Sequence, residues 1–326
     1  MSTHLLVPLD GSSLANAAIP EAIEIARRLR LGVILMRVHS PTAILPYPPE
    51  VAVAPPKPDW EKRVREEREA WLREKAQDLA KSSGLRVTAE FRVGDPAEEI
   101  VALARRRRVR AIVCTTLGVG GLAPHWIGSV ADAVIRHAWC PVFALPPGAV
   151  ARSGAFRTLL VLNDGSPLSE TILKHAAWLA GAFDAEIELL SVASPAWLQD
   201  AVAALASREE DPFGIDAYAA TMKRRLDDIA ERLRGQGVRA RSTVVIGVNA
   251  ARTILEHITK TNPDAVALAT HGRGISRLFL GSVADKVLRT SGRPTLLLRP
   301  RLRPVRKVEP ALVTESPEAG LFVGGL

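Results

Sequence analysis

Two copies of one short pattern carry the residues able to do chemistry. In the first, Asp10-Gly11-Ser12 stands ahead of a glycine loop, TLGVGGLAPHWIGSVAD at 116–132. In the second, Asp164-Gly165-Ser166 stands ahead of THGRGISRLFLGSVAD at 270–285. Each Asp-Gly-Ser closes a short apolar run, where a strand gives way to a helix. A carboxylate there can accept hydrogen bonds from an amine or a ribose. It can equally do no more than make a turn and cap the helix. Each glycine loop follows another apolar run and opens a helix. Glycines let backbone approach a ligand closely, and unpaired N–H groups at a helix start attract anions. The same residues have a structural use. Ser129-Val130-Ala131-Asp132 and Ser282-Val283-Ala284-Asp285 resemble capping boxes, with Asp in place of the usual Glu or Gln. On chemistry alone, a phosphate cradle and a helix cap both stay open.

Other chemistries find less support. The P-loop pattern GxxxxGK[ST] is absent, and no GxGxxG follows the first apolar run. The seven histidines are scattered. His125 and His271 fall in the two glycine loops at non-equivalent places, and no Ser-His-Asp order emerges. Cys114 and Cys140 lack metal-ligand spacing and sit in apolar runs, which predicts buried free thiols and no metal site. The carboxylates of REEREAWLREKAQD read as a solvated helix face. Net charge is +8, with RRRRVR at 105–110 as the densest cluster. It ends a helical pattern, where cations suit the dipole. Without interleaved aromatics it argues against a nucleic-acid partner.

The elements that must position these residues are also written twice. LLVPLDGSSLANAAI at 5–19 matches LLVLNDGSPLSETIL at 159–173. GSVADAVIRHAWCPVFAL at 128–145 matches GSVADKVLRTSGRPTLLL at 281–298, and the matches between keep their order. Each copy alternates short apolar runs with helical patterns, which predicts parallel strands buried on both faces. The expected architecture is α/β: two tandem doubly wound, Rossmann-like domains, each a five-stranded parallel sheet with helices on both faces. The 326 residues divide as domain 1 (1–147), linker (148–155), domain 2 (156–299) and a C-terminal tail (300–326). A proline-rich segment at 40–59 and its counterpart at 193–214 stand outside the repeat, as lids or as packing between domains. The N-terminal MSTHLLVPLDGS lacks the features of a signal peptide, and no apolar run is long enough to span a bilayer. A cytoplasmic location and no membrane contact are expected. In such sheets the ligand crevice lies beyond the carboxyl ends of the strands, where strand order reverses. The Asp-Gly-Ser turns and the glycine loops converge there.

VPLDGS, GDPAEEI at 94–100, HGRGISRLFLGSVADKVLR at 271–289 and the closing CPVFAL or RPTLLL together carry a family resemblance. Each half resembles a universal stress protein domain, and the whole chain resembles the tandem members. The resemblance implies pairing of the halves through their last strands, Pro141–Leu145 and Pro294–Leu298, as a pseudo-two-fold internal dimer. It also implies ATP binding through G-x2-G-x9-G-[ST], an Asp after strand 1 and a Val near the end of strand 2. Carried over, the nucleotide-binding residues are Asp10, Val38, Gly118, Gly128 and Ser129 in the first copy. In the second they are Asp164, Val192, Gly272, Arg273, Gly281 and Ser282, with Arg277 as a further phosphate contact. Nine residues separate Gly118 from Gly128, as the motif asks, but only eight separate Gly272 from Gly281. Thr115 and Ala269 replace the motif's first glycine, and Val119 and Pro124 stand where the second copy has arginines.

The expected function is an adenine-nucleotide-binding regulator or sensor of stress, with ATP as ligand, magnesium as its companion and at most slow hydrolysis. The alternative is a nucleotide-free interaction module whose glycine loops cap helices and whose 40–59 segment docks a protein partner. Further homo-oligomers are compatible with either.

Overall fold

The computed structural model describes residues 3–40, 59–118, 127–148, 156–194, 215–270 and 280–300. The first copy holds β1 (His4–Pro8), α1 (Ser13–Asn16), α2 (Ala18–Leu29), β2 (Gly32–His39), α3 (Trp60–Ser83), β3 (Val87–Val93), α4 (Pro96–Arg106), β4 (Ala111–Thr115), α5 (Ser129–His137) and β5 (Val142–Leu145). The second holds β6 (Thr158–Leu162), a 3-10 turn (Ser169–Ile172), α6 (Leu173–Phe183), β7 (Glu186–Ala193), α7 (Ile215–Gly235), β8 (Ala240–Ile246), α8 (Ala250–Thr261), β9 (Ala265–Ala269), α9 (Ser282–Thr290) and β10 (Thr295–Leu298).

These strands form one sheet in the order β3-β2-β1-β4-β5-β10-β9-β6-β7-β8. Every neighbouring pair is parallel except β5 and β10. There Leu296 faces Phe143 across an antiparallel ladder, as the resemblance implied. Two last strands thus cover each other's edges.

Strand residues alternate between two apolar layers. Leu5 and Val7 face α2 and α3; Leu6 faces α4 and α5. Each layer runs unbroken from one copy into the other, so the sheet carries helices on both faces along its whole length. Near the junction, Phe156 meets Phe143 edge-on at 5.8 Å and Phe183 at 4.7 Å.

Side-chain caps start α1, α4 and α8. In GDPAEEI, the Asp95 carboxylate accepts from the Glu98 N–H at 2.9 Å and Pro96 takes the first helical position. Asn249 does the same for α8. LANAAIPEAIEIARRL reads as a single helix, but the structure breaks it at Ala17. Pro20 has no N–H for the Asn16 carbonyl, and the Ala17 N–H bonds to Leu14 O instead, at 3.1 Å. The segments 41–58, 195–214 and 301–326, including the expected lids and tail, lie outside the described residues. Among the described residues no helix is long and apolar enough to cross a membrane.

Candidate functional site

β1 has β2 on one side and β4 on the other, so the chain leaves β1 and β4 in diverging directions and opens a crevice at their carboxyl ends. Asp10 stands at its lip. Its Oδ1 accepts the Ser12 N–H at 2.8 Å across Gly11, whose φ is +93°. The helix cap is made by the next residue: Ser12 Oγ accepts the Ala15 N–H at 3.0 Å. The second copy repeats this, with Ser166 N–H on Asp164 Oδ1 at 2.9 Å and Ser169 N–H on Ser166 Oγ at 3.1 Å. The aspartates therefore shape turns, and in the first copy the capping falls to Ser12. Asp10 Oδ2 lies against Gly118, where an added Cβ would come within 2.4 Å of it. A side chain at Gly118 would have to displace the Asp10 carboxylate.

The start of α5 overturns the capping-box expectation. Gly128 is the N-cap and Ser129 is already the first helical residue. Asp132 does not reach back to the helix start. It is clamped by Arg136 through Nε at 2.7 Å and Nη2 at 2.9 Å. In α9, Gly281 is the N-cap, Ser282 follows it, and Asp285 is held by Arg289 Nε at 2.9 Å. A glycine cap offers no side-chain acceptor, so the first-turn N–H groups keep their pull on an anion. Gly128 itself has φ −60° and ψ 147°, and among the described residues an added Cβ would meet nothing closer than Thr116 O at 3.6 Å. Neither its conformation nor its neighbours among the described residues demand a glycine.

These residues share one cavity of about 830 Å³. Asp10, Val38, Gly118, Gly128 and Ser129 all line it. The remaining wall is largely apolar, with Met36, Ile100, Ile127 and Val134. Cys114 also lines it, and burial pushes its thiol up to about 12, so it stays protonated. Thr115, at the motif's first glycine, turns its hydroxyl to Leu117 O at 2.7 Å. Among the described residues no group of three or more His, Cys, Asp or Glu could hold a metal ion.

The description "universal stress protein family" matches residues 1–146 and again 155–299. The chain belongs to that family. Relatives include a universal stress protein of Methanocaldococcus jannaschii, 31% identical over 144 residues, 43% of this chain and 80% of that one. Another, from Mycobacterium bovis, is 30% identical over 221 residues, 66% of this chain and 70% of its own length. A Mycolicibacterium smegmatis universal stress protein aligns over 91% of this chain and 97% of itself at 25% identity. In fold, the chain resembles a universal stress protein crystal structure from Archaeoglobus fulgidus, with TM-score 0.67 and 18% identity over 92% of this chain and 99% of that one.

In this universal stress protein the second copy sets out its residues in the same order. Asp164 follows β6, Val192 lies near the end of β7, and Gly281 and Ser282 open α9. Gly272, Arg273, Arg277 and His271 lie outside the described residues, as does His125. The copies also differ where the motif is silent. Arg37 on β2 donates to the Asp10 carbonyl at 3.1 Å and stacks over Trp71 at 4.9 Å, buried enough to pull its pKa down. Its counterpart is Ser191. Leu9 of the first copy becomes Asn163, whose Oδ1 accepts the Gly165 N–H at 2.8 Å and whose buried Nδ2 has no hydrogen-bond partner among the described residues. Sequence reasoning missed Arg37 because it stands inside the apolar run GVILMRV. A lone charge in such a run was the signal. It missed Arg289 at the cavity wall because that residue comes from the other copy.

Proposed function

We propose that this protein binds an adenine nucleotide in the first-copy cavity and acts as a nucleotide-responsive regulator or sensor in stress. The observation that carries this is the convergence of Asp10, Val38, Gly118, Gly128 and Ser129 on one cavity of about 830 Å³, a volume suited to a small-molecule ligand. The apolar wall fits a base. Asp10 would accept from the base amine or the ribose hydroxyls. The uncapped start of α5 and the Ser129 hydroxyl would hold phosphates, and the missing Cβ at Gly128 leaves room for their approach. Bound ATP would supply a phosphate chain to be sensed and, slowly, hydrolysed. With no protein metal cluster among the described residues, magnesium would arrive on the phosphates themselves. Asp132 is committed to Arg136, so it is not placed to activate a water for hydrolysis.

The second reading, in which the glycine loops only cap helices, draws on Gly128 and Gly281, which are the N-caps of α5 and α9. Calorimetry on protein purified without added nucleotide tests the proposal. Saturable heat and a raised melting temperature with ATP are expected. No heat and no shift at millimolar ATP overturn it.

A further inference from the structure

We propose that Arg289, which belongs to the second copy, is a phosphate-binding residue of the first copy's cavity, so that both halves of the chain complete one site. This rests on reading that cavity as a nucleotide site.

Arg289 lines the cavity together with Asp10, Gly128, Ser129 and Asp132. Among the described residues it is the one cation on that wall. The charge balance there is otherwise unsuited to a polyphosphate. Asp10 is acidic, and the charge of Asp132 is matched by Arg136. The first glycine loop supplies no lysine or arginine: residues 119–126 read VGGLAPHW, whereas the second loop carries Arg273 and Arg277. A triphosphate in the first cavity would therefore meet backbone N–H groups and hydroxyls such as that of Ser129, with no lysine or arginine in its own copy's loop. Arg289 supplies what that loop lacks.

Its position is fixed. The Nε–H is shared by both Asp285 oxygens, at 3.0 and 2.9 Å, one helical turn back on α9. This orients the guanidinium plane. A planar fork of this kind recognises phosphate oxygens in pairs. The helices α5 and α9 come close enough for Asp285 to act on Arg136. After its own hydrogen bond with Asp132, the charge of Asp285 helps raise the pKa of Arg136. Asp132–Arg136 and Asp285–Arg289 are thus the same ion pair written once in each copy, meeting where the halves join. Arg299, just after β10, adds a further tie by donating to the Arg136 carbonyl. Phosphate binding at the first cavity would then be linked to the pairing of the two halves.

The test is calorimetric titration of the full chain with ATP, ADP, AMP and adenosine, in an Asp164→Ala background that weakens the second copy's contribution. Arg289→Gln should weaken ATP at least about tenfold, ADP less, and leave adenosine unchanged. Arg289→Lys should recover part of the loss. Equal weakening of ATP and adenosine would mean that Arg289 only props up α9, and unchanged ATP affinity would mean that it makes no contact; either overturns the inference while the site reading stands. A parent chain that binds none of the four overturns both. Because the readout is the ratio of ATP to adenosine affinity within each variant, a general loss of stability does not imitate the expected result.

Discussion

Two residues at equivalent positions of the repeat, Glu21 on α2 and His175 on α6, are buried where most such residues are exposed. Burial, with the Glu24 charge behind it, pushes the Glu21 carboxyl up to about 7. Burial, helped by Lys174 and Arg110, pushes His175 down to about 4. Their linkages to pH have opposite signs. Folded Glu21 keeps its proton to about pH 7, whereas the unfolded chain releases it near 4.5. Its contribution is therefore greatest below pH 4.5 and is lost as pH rises through 7. Folded His175 stays neutral down to about pH 4, whereas the unfolded chain takes up a proton below 6.5, so stability is lost as pH falls through that window. Glu21→Gln removes only the first effect. Relative to the parent, it should stabilise by about 2–3 kcal/mol more at pH 8 than at pH 4. Urea unfolding at the two pH values measures this, and an equal change at both would show that Glu21 ionises normally in the fold.

At the scale of elements, the sequence was legible wherever burial on two faces forces apolar runs. The strands and the solvated helix face of REEREAWLREKAQD in α3 could be read from residue type and spacing. Two helix starts could not. LANAAIPEAIEIARRL kept a helical period through a break caused by one missing N–H at Pro20. The capping box in GSVAD was misread by one position, because serine preference at an N-cap is a statistical pull and Gly128 took the place instead. That shift has a consequence for α5. If Gly128 serves only the helix, a threonine there is an equivalent N-cap, and its β-branched side chain suits the extended backbone at this position. If a phosphate packs against Gly128, the new side chain fills its place. Gly128→Thr should keep stability within about 0.5 kcal/mol and weaken ATP by about 1.4 kcal/mol or more, tenfold in Kd. Thermal melts and calorimetry on one preparation decide it, and unchanged affinity sinks the role given to Gly128.

At the scale of the molecule, the repeat predicts two domains, and the sheet makes them one body. Local patterns report which residues turn inward, but they do not report what the second copy presses against the first. Arg110 looked like the end of a solvated cluster, yet its guanidinium stacks over Trp178 at 4.3 Å, on the other half. Arg289 lines a cavity built by the other copy for the same reason. The joint is the β5–β10 ladder, backed by Phe143 and Phe156, and both apolar layers cross it without a gap. Two halves joined only by a linker would melt independently. Here, losing either half would expose the inner strand and an apolar layer of the other, so unfolding should be a single calorimetric transition. Phe143→Ala sharpens the test. Phe143 is fully buried on β5, and its truncation should cost about 3–5 kcal/mol. If the halves are coupled, that loss lowers the melting of the whole chain as one peak. If they are not, scanning calorimetry will show the first copy melting early while the second keeps its own midpoint, and the continuous sheet would then carry no thermodynamic coupling.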